Sequence, residues 1–166
     1  MDYHLVSREF AEFCYSIKQA YDINDTVLYG SMVMGKPHPN DIDLLLIHDN
    51  PAFRKMQSLR GHDKCNNNTE RVELLDKLLA ENNYPPLKGQ ISSWPNIIQA
   101  LSSEILSIYF LGIDFSRDRE SFIKAKSLFP DPTFFKNHLF KYGLIWNPKS
   151  KDYDIPMASR YTLFDE

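Results

Sequence analysis

The sequence lacks most of the features that mark secreted and membrane-bound proteins. Among its 166 residues there are only 2 cysteines, Cys14 and Cys65, which provide no disulfide framework and favour a reducing compartment. No apolar run approaches the roughly 18 to 20 residues that span a bilayer, and the first residues lack the charged and apolar regions of a signal peptide. The formal net charge of −3 provides no overall basic field for nucleic acid or membranes. We therefore expect a cytoplasmic protein without membrane contacts.

Length and composition predict one globular domain. A chain of 166 residues can bury a substantial core, and 43% hydrophobic with 25% charged residues is ordinary for a globular protein. Periodicity predicts helices over 3–21, 69–83, 96–106, 117–128 and 134–142, and a short strand over 87–92. We expect an α+β fold in which a small mixed sheet of about four or five strands carries helices mainly on one face. The core would cover about residues 1–116, followed by a C-terminal helix and hairpin extension over about 117–166.

The most informative segment of the chain covers residues 26–47. An apolar run ends at Gly30 and Ser31, a short polar stretch follows, and a second apolar run begins with Asp41, Ile42 and Asp43. Because side chains alternate along a strand, Asp41 and Asp43 are predicted to point the same way, with Cα atoms roughly 6.5 to 7 Å apart. Adjacent carboxylates repel each other. A hard divalent cation such as Mg²⁺ would resolve that repulsion.

The Gly-Ser dipeptide supplies the other half of a phosphate site. Gly30 removes a side chain where the chain leaves its strand, so backbone N–H groups can approach a ligand closely. Ser31 is a good N-cap for a short helical turn, and a helix N-terminus attracts phosphate. A phosphate site beside two carboxylates is typical of phosphoryl or nucleotidyl transfer.

Gly30-Ser31 followed by Asp41-Ile42-Asp43 resembles the signature of the DNA polymerase beta nucleotidyltransferase superfamily, which is Gly-Ser, a gap and then Asp-x-Asp. The likeness is greatest to its minimal members and to the compact family X polymerases. It is strong over residues 26–47 and weak elsewhere. One residue departs from the pattern, because Met34 stands where many relatives carry arginine. Lys36 is the candidate for the basic phosphate contact that this arginine would have made.

The resemblance also implies a third acidic residue on a neighbouring strand. The apolar run 107–115 ends in Ile-Asp-Phe, which matches the local pattern of that residue in the superfamily, so Asp114 is the candidate third metal ligand. Its role would be to help activate the acceptor hydroxyl. The alternative is that Asp114 caps a helix that begins near Ser116. Glu104 and Asp154 are the other carboxylates that could fill this place.

The resemblance implies a Mg²⁺-dependent transferase, with Mn²⁺ as a possible substitute, that uses ATP or another nucleoside triphosphate. Asp41 and Asp43 would bind the ion, Gly30 and Ser31 would hold the terminal phosphates, and pyrophosphate would leave as the nucleotidyl group is transferred. An RNA or DNA 3′-hydroxyl as acceptor fits the local excess of Lys and Arg over residues 117–151. A protein hydroxyl or a small molecule, as in toxin-type or antibiotic-modifying relatives, fits the small size and the pI of 5.9. A catalytically silent adaptor that binds a nucleotide or a protein is the remaining hypothesis.

Overall fold

The structure is a computed structural model in which residues 2–59 and 65–164 are described. The first half of the chain contains α1 (Tyr3–Ser16), β1 (Ile23–Tyr29), a 3₁₀ turn (Gly30–Met32), β2 (Ile42–His48), α2 (Pro51–Ser58) and α3 (Asn68–Glu81). The second half contains α4 (Leu87–Ile91), α5 (Pro95–Ser102), β3 (Leu106–Gly112), a 3₁₀ turn (Ile113–Ser116), α6 (Arg119–Lys126), a π-helix (Phe134–Phe140), β4 (Leu144–Asn147), β5 (Asp152–Pro156) and a 3₁₀ turn (Met157–Ser159).

The strands form one open mixed sheet in the order β3-β2-β1-β4-β5. The pair β2 and β3 is parallel, whereas β1 runs antiparallel to both of its neighbours, β2 and β4, and β5 runs antiparallel to β4. A parallel pair needs a long crossover, and helices α2 to α5 lie between β2 and β3 in the chain. The predicted α+β fold with a small mixed sheet is confirmed.

Strand β2 is buried on both faces of the sheet, as its continuous apolar run predicts. Leu44 belongs to a core that helices α1 to α5 cover, and Leu45 belongs to a second core on the opposite face. The second core is built from the segments after β3, with Phe115, Phe122 and Phe135 fully buried in it. Helices therefore lie mainly on the first face, as expected, while α6 and the π-helix close the second.

The C-terminal segment completes the sheet. Val27 and Leu28 of β1 pair with Ile145 and Leu144 of β4, so the strand that carries the Gly-Ser turn has a C-terminal strand as its neighbour. The boundary that we placed near residue 116 therefore separates two parts of one sheet. Among residues 2–59 and 65–164, no helix has the length and hydropathy that crossing a membrane requires.

The strand predicted over residues 87–92 is wrong, because this segment forms helix α4. Leu87 and Ile91 are both buried, and their spacing of four residues places them on one helical face. The Leu87 N–H donates to the Asp76 carboxylate at 2.6 Å, which satisfies one of the free N–H groups at the start of the helix. A segment this short contains too few residues for periodicity to separate a strand from a helix.

Candidate functional site

The turn after β1 lies against the carboxylate of Asp43. Tyr29, the last residue of β1, pairs with Asp43 of β2. Gly30 follows with φ +76°, and a Cβ atom placed on it would lie 2.6 Å from Asp43 Oδ2. The backbone conformation and the close carboxylate both favour a residue without a side chain at this position.

Ser31 connects the turn to the second aspartate. Its hydroxyl donates to Asp41 Oδ1 at 3.3 Å, and both residues are half-buried, as is Asp43. The structure therefore brings together Gly30, Ser31, Asp41 and Asp43, which the sequence motif had associated. Lys36 lies in the exposed loop between the turn and β2, and its contact with phosphate stays a prediction.

Replacing Gly30 with alanine is expected to move the Asp43 carboxylate. The new methyl group needs the space that Oδ2 occupies, and alanine at a positive φ costs about 1 kcal/mol. We expect a loss of about 1 to 2 kcal/mol in unfolding free energy and, for the Mg²⁺-nucleotide that the resemblance to nucleotidyltransferases implies as a ligand, about tenfold weaker binding. Urea unfolding and calorimetric titration measure the two effects. The matched control is Gly35→Ala, which shares a φ of +76° but has no heavy atom within 4 Å of its Cβ position. Equal nucleotide binding by both variants would contradict the expectation.

Asp43 is the most perturbed acid of the site. Burial, together with a smaller effect of the neighbouring Asp41 carboxylate, raises its pKa from 3.8 to about 7. Burial also raises the pKa of the Tyr29 hydroxyl well above 10.0, with contributions from the same two carboxylates. At pH 7 Asp43 is therefore about half protonated, and a cation beside it would favour its charged form.

The metal-free protein is expected to lose stability as the pH rises from about 4 to about 7. In this range the folded state holds a proton on Asp43 that the unfolded state has released, so the unfolding free energy falls with pH. The contribution of this group is fully present below pH 4 and lost above pH 7. Urea unfolding at a series of pH values in the presence of a chelator measures the slope, and Asp43→Asn should flatten it. A slope in the variant equal to that of the parent would contradict this assignment.

The structure does not bring Asp114 to this site, so its prediction as the third ligand is wrong. In the parallel register of β2 and β3, Asp43 pairs with Ser107, and His48 pairs with Gly112. Asp114 follows Gly112 and lies beyond the opposite end of the strands, roughly 20 Å from Asp43 by the rise of a strand. Its carboxylate accepts a hydrogen bond from Arg54 Nη1 at 2.7 Å.

The two other carboxylates considered for this place are engaged elsewhere. Glu104 precedes β3, where it accepts a hydrogen bond from the Asn68 N–H at 2.8 Å and lies 3.5 Å from Arg71 Nη1. These partners belong to α3 on the first face of the sheet, whereas Asp43 faces the second. Asp154 lies on the edge strand β5 and accepts a hydrogen bond from the Ser150 hydroxyl at 2.6 Å.

Aromatic residues that the sequence analysis did not assign to the site lie on the same face as Asp43. The ring of Tyr29 packs edge to face against Tyr109 of β3 at 6.1 Å and against Phe134 of the π-helix at 5.5 Å between centroids. Phe134 in turn stacks on Phe129, with centroids 4.6 Å apart and planes inclined by 9°. The sequence alone does not give the register of β3 against β2. With that register, the alternation of side chains along β3 places Tyr109 on the same sheet face as Asp43.

Comparison of the chain with protein-family models, curated proteins and solved structures found no match. The functional assignment therefore rests on the residues of the chain and their geometry.

Asp41 and Asp43 are the side chains of this site that could hold a divalent cation. Within residues 2–59 and 65–164, no group of three or more His, Cys, Asp and Glu side chains is placed to hold a metal ion. The Asp41 and Asp43 pair corresponds instead to the usual Mg²⁺ arrangement, in which one or two carboxylates act with water and substrate phosphates. The raised pKa of Asp43 is consistent with this, because a cation would stabilise the charged form.

Proposed function

We propose that the chain binds a nucleoside triphosphate as its Mg²⁺ complex and transfers the nucleotidyl group to an acceptor hydroxyl. The observation that carries the proposal is the packing of the Gly30 turn against Asp43, with Ser31 hydrogen-bonded to Asp41. Two carboxylates and a turn without side-chain bulk suit a cation and a phosphate together. This arrangement is also what the resemblance to DNA polymerase beta-like nucleotidyltransferases implies.

Each residue of the site has a separate role in this proposal. Asp41 and Asp43 would hold Mg²⁺ or Mn²⁺, which when bound supplies positive charge against the triphosphate. Gly30 leaves space for the Asp43 carboxylate, the backbone N–H groups of the turn would contact the phosphates, and the Ser31 hydroxyl orients Asp41. The acceptor oxygen forms a bond to the α-phosphorus, the bond to the bridging oxygen breaks, pyrophosphate leaves and the hydroxyl releases its proton.

An RNA or DNA 3′-hydroxyl is the acceptor that we favour. Lys136 and Lys141 are exposed at the π-helix, which covers the sheet face that Asp43 shares, and Phe134 of this helix reaches Tyr29 beside the carboxylates. Basic side chains and aromatic rings on one face suit a nucleic-acid strand.

The two cysteines are free in the structure, which supports our proposal that the protein resides in the cytoplasm.

A catalytically silent nucleotide-binding adaptor is the second candidate. It is favoured by the register of β3, which places Ser107 rather than a carboxylate beside Asp43. Such a protein would bind a nucleotide with one metal ion and transfer nothing. A protein hydroxyl or a small molecule as acceptor would instead leave the transferase proposal intact and change only its substrate.

Incubation with labelled nucleoside triphosphates tests the proposal. The full chain is mixed with Mg²⁺ or Mn²⁺ and, in separate reactions, RNA, DNA and protein, with Asp41→Asn as the control. Metal-dependent label on one acceptor, lost in the variant, supports transfer and identifies the acceptor. Metal-dependent nucleotide binding by calorimetry without label on any acceptor supports the adaptor. Absence of metal-dependent nucleotide binding would overturn both.

A further inference from the structure

A cavity of about 360 Å³ lies at the end of the sheet opposite to the Gly-Ser turn. It opens where the parallel strands β2 and β3 end, between α2 on one sheet face and α6 on the other. Its volume is within the range of sites for small ligands. In sheets with parallel strands, ligands commonly bind outside the carboxyl ends of the strands. No residue of the proposed nucleotide site lines this cavity.

Arg54 forms a fixed side of the cavity. Its guanidinium donates to Asp114 at 2.7 Å and to Asp49 at 3.0 Å, so the ends of β2 and β3 are joined through one side chain. Gly112 allows this contact, because a Cβ atom there would lie 2.8 Å from both Arg54 Nη1 and Asp114 Oδ1. Arg54 carries one positive charge against the two negative charges of Asp49 and Asp114, so this cluster is negative overall and offers no cation to a ligand.

Two lysines from opposite sheet faces also line the cavity. Lys55 belongs to α2 and Lys124 to α6. Along the described ranges 2–59 and 65–164, neither lysine forms an ion pair with a carboxylate. The two lysine charges exceed the single net negative charge of the Arg54 cluster, so the lining is positive overall and favours an anion. Ala125 and Leu128 add apolar surface beside the charges.

We propose that this cavity binds a small organic anion, whose phosphate or carboxylate group lies between Lys55 and Lys124. The apolar part of the ligand contacts Ala125 and Leu128. A ligand with an apolar part and one anionic group matches this cavity, because most of the cavity surface is apolar and the two lysines supply the positive charge. The proposal makes no use of Asp41 or Asp43, and it stands or fails separately from nucleotide binding.

Titration of the full chain with phenyl phosphate and, separately, with benzoate and inorganic phosphate tests the proposal. Binding is followed by calorimetry and by the NMR shifts of the Gly112 and Ala125 amides. We expect saturable binding of phenyl phosphate or benzoate, and about tenfold weaker binding of inorganic phosphate, because it lacks the apolar part. The stronger of the two organic probes identifies the charged group that the site prefers.

Removal of either lysine gives the decisive comparison. Lys55→Gln and Lys124→Gln should each weaken binding of the preferred probe about tenfold, because each removes one charge-assisted contact. Lys136→Gln removes an exposed charge elsewhere and should leave binding unchanged, as should Asp43→Asn. The proposal is overturned if neither organic probe saturates, if Lys136→Gln weakens binding as much as the cavity variants, or if Asp43→Asn abolishes it.

Discussion

Asp43→Asn is expected to reduce the proposed Mg²⁺-dependent nucleotidyl transfer about a hundredfold or more, because a neutral amide cannot replace the carboxylate that we propose as a ligand of the ion. The variant keeps the shape of the side chain and its place against Gly30. Single-turnover transfer to the acceptor identified with the parent protein measures the effect. Asn24→Asp, which adds a carboxylate in β1 far from the turn, is the matched control and should transfer at the rate of the parent. Unchanged transfer by Asp43→Asn would remove the proposed site.

The same substitution should stabilise the metal-free protein. Above pH 7 the folded parent carries a charge on the half-buried Asp43, and the raised pKa of this carboxyl means that the charge is unfavourable there. Asparagine removes that charge, so we expect a gain of about 2 kcal/mol in unfolding free energy at pH 8 without metal. Loss of transfer with gain of stability separates a functional carboxylate from a structural one. A loss of stability would contradict this interpretation and indicate that Asp43 supports the fold.

The Gly-Ser turn and the two aspartates were predictable because the signals are local. The turn and β2 are close in sequence, β1 and β2 are antiparallel neighbours, and alternation along one strand is enough to place Asp41 and Asp43 on one side. The buried character of β2 was predictable for the same reason, since its apolar run is continuous. These features require no knowledge of how distant segments pair.

The place of Asp114 could not be predicted, because it depends on the register of β3 against β2. Helices α2 to α5 separate these strands in the chain, and no turn between them fixes the pairing. The local pattern Ile-Asp-Phe is the same at either end of a strand. Helix capping, the alternative for Asp114, is not what the structure shows either, because its carboxylate pairs with Arg54. The N-cap of helix α6 is instead Asp118, whose carboxylate accepts a hydrogen bond from the Ser121 N–H.

The role of the C-terminal segment in the sheet could not be predicted either. From the sequence, a hairpin after residue 116 can either lie outside the core as an extension or supply strands that complete the sheet. Strand β1 has Val27 in one core and Leu28 in the other, and it pairs with both β2 and β4. Loss of the C-terminal strands would therefore expose the strand that carries the Gly-Ser turn. Because β1 contributes residues to both cores, we expect the two cores to unfold in one transition.

Gly143→Ala tests this coupling and should cost about 3 kcal/mol or more in unfolding free energy. Gly143 follows the π-helix and precedes β4, and a Cβ atom there would lie 2.3 Å from the Leu139 carbonyl oxygen. A backbone atom cannot rotate away, so the junction must shift. Gly89→Ala is the matched control: it lies within α4, has no heavy atom closer than 4.0 Å to its Cβ position, and should stabilise by up to about 1 kcal/mol.

The fluorescence of Trp94 reports whether the effect reaches the first core. Trp94 packs edge to face against Phe13 of α1, with centroids 5.7 Å apart, and lies on the face opposite to the π-helix. In a Trp146→Phe background it is the remaining tryptophan of the chain, and Gly143→Ala should lower the midpoint of its urea transition as much as that of the far-ultraviolet circular dichroism. Because β1 belongs to both cores, one common transition is expected. A Trp94 midpoint that stays in place while the dichroism midpoint falls would show that the first core folds without the C-terminal strands.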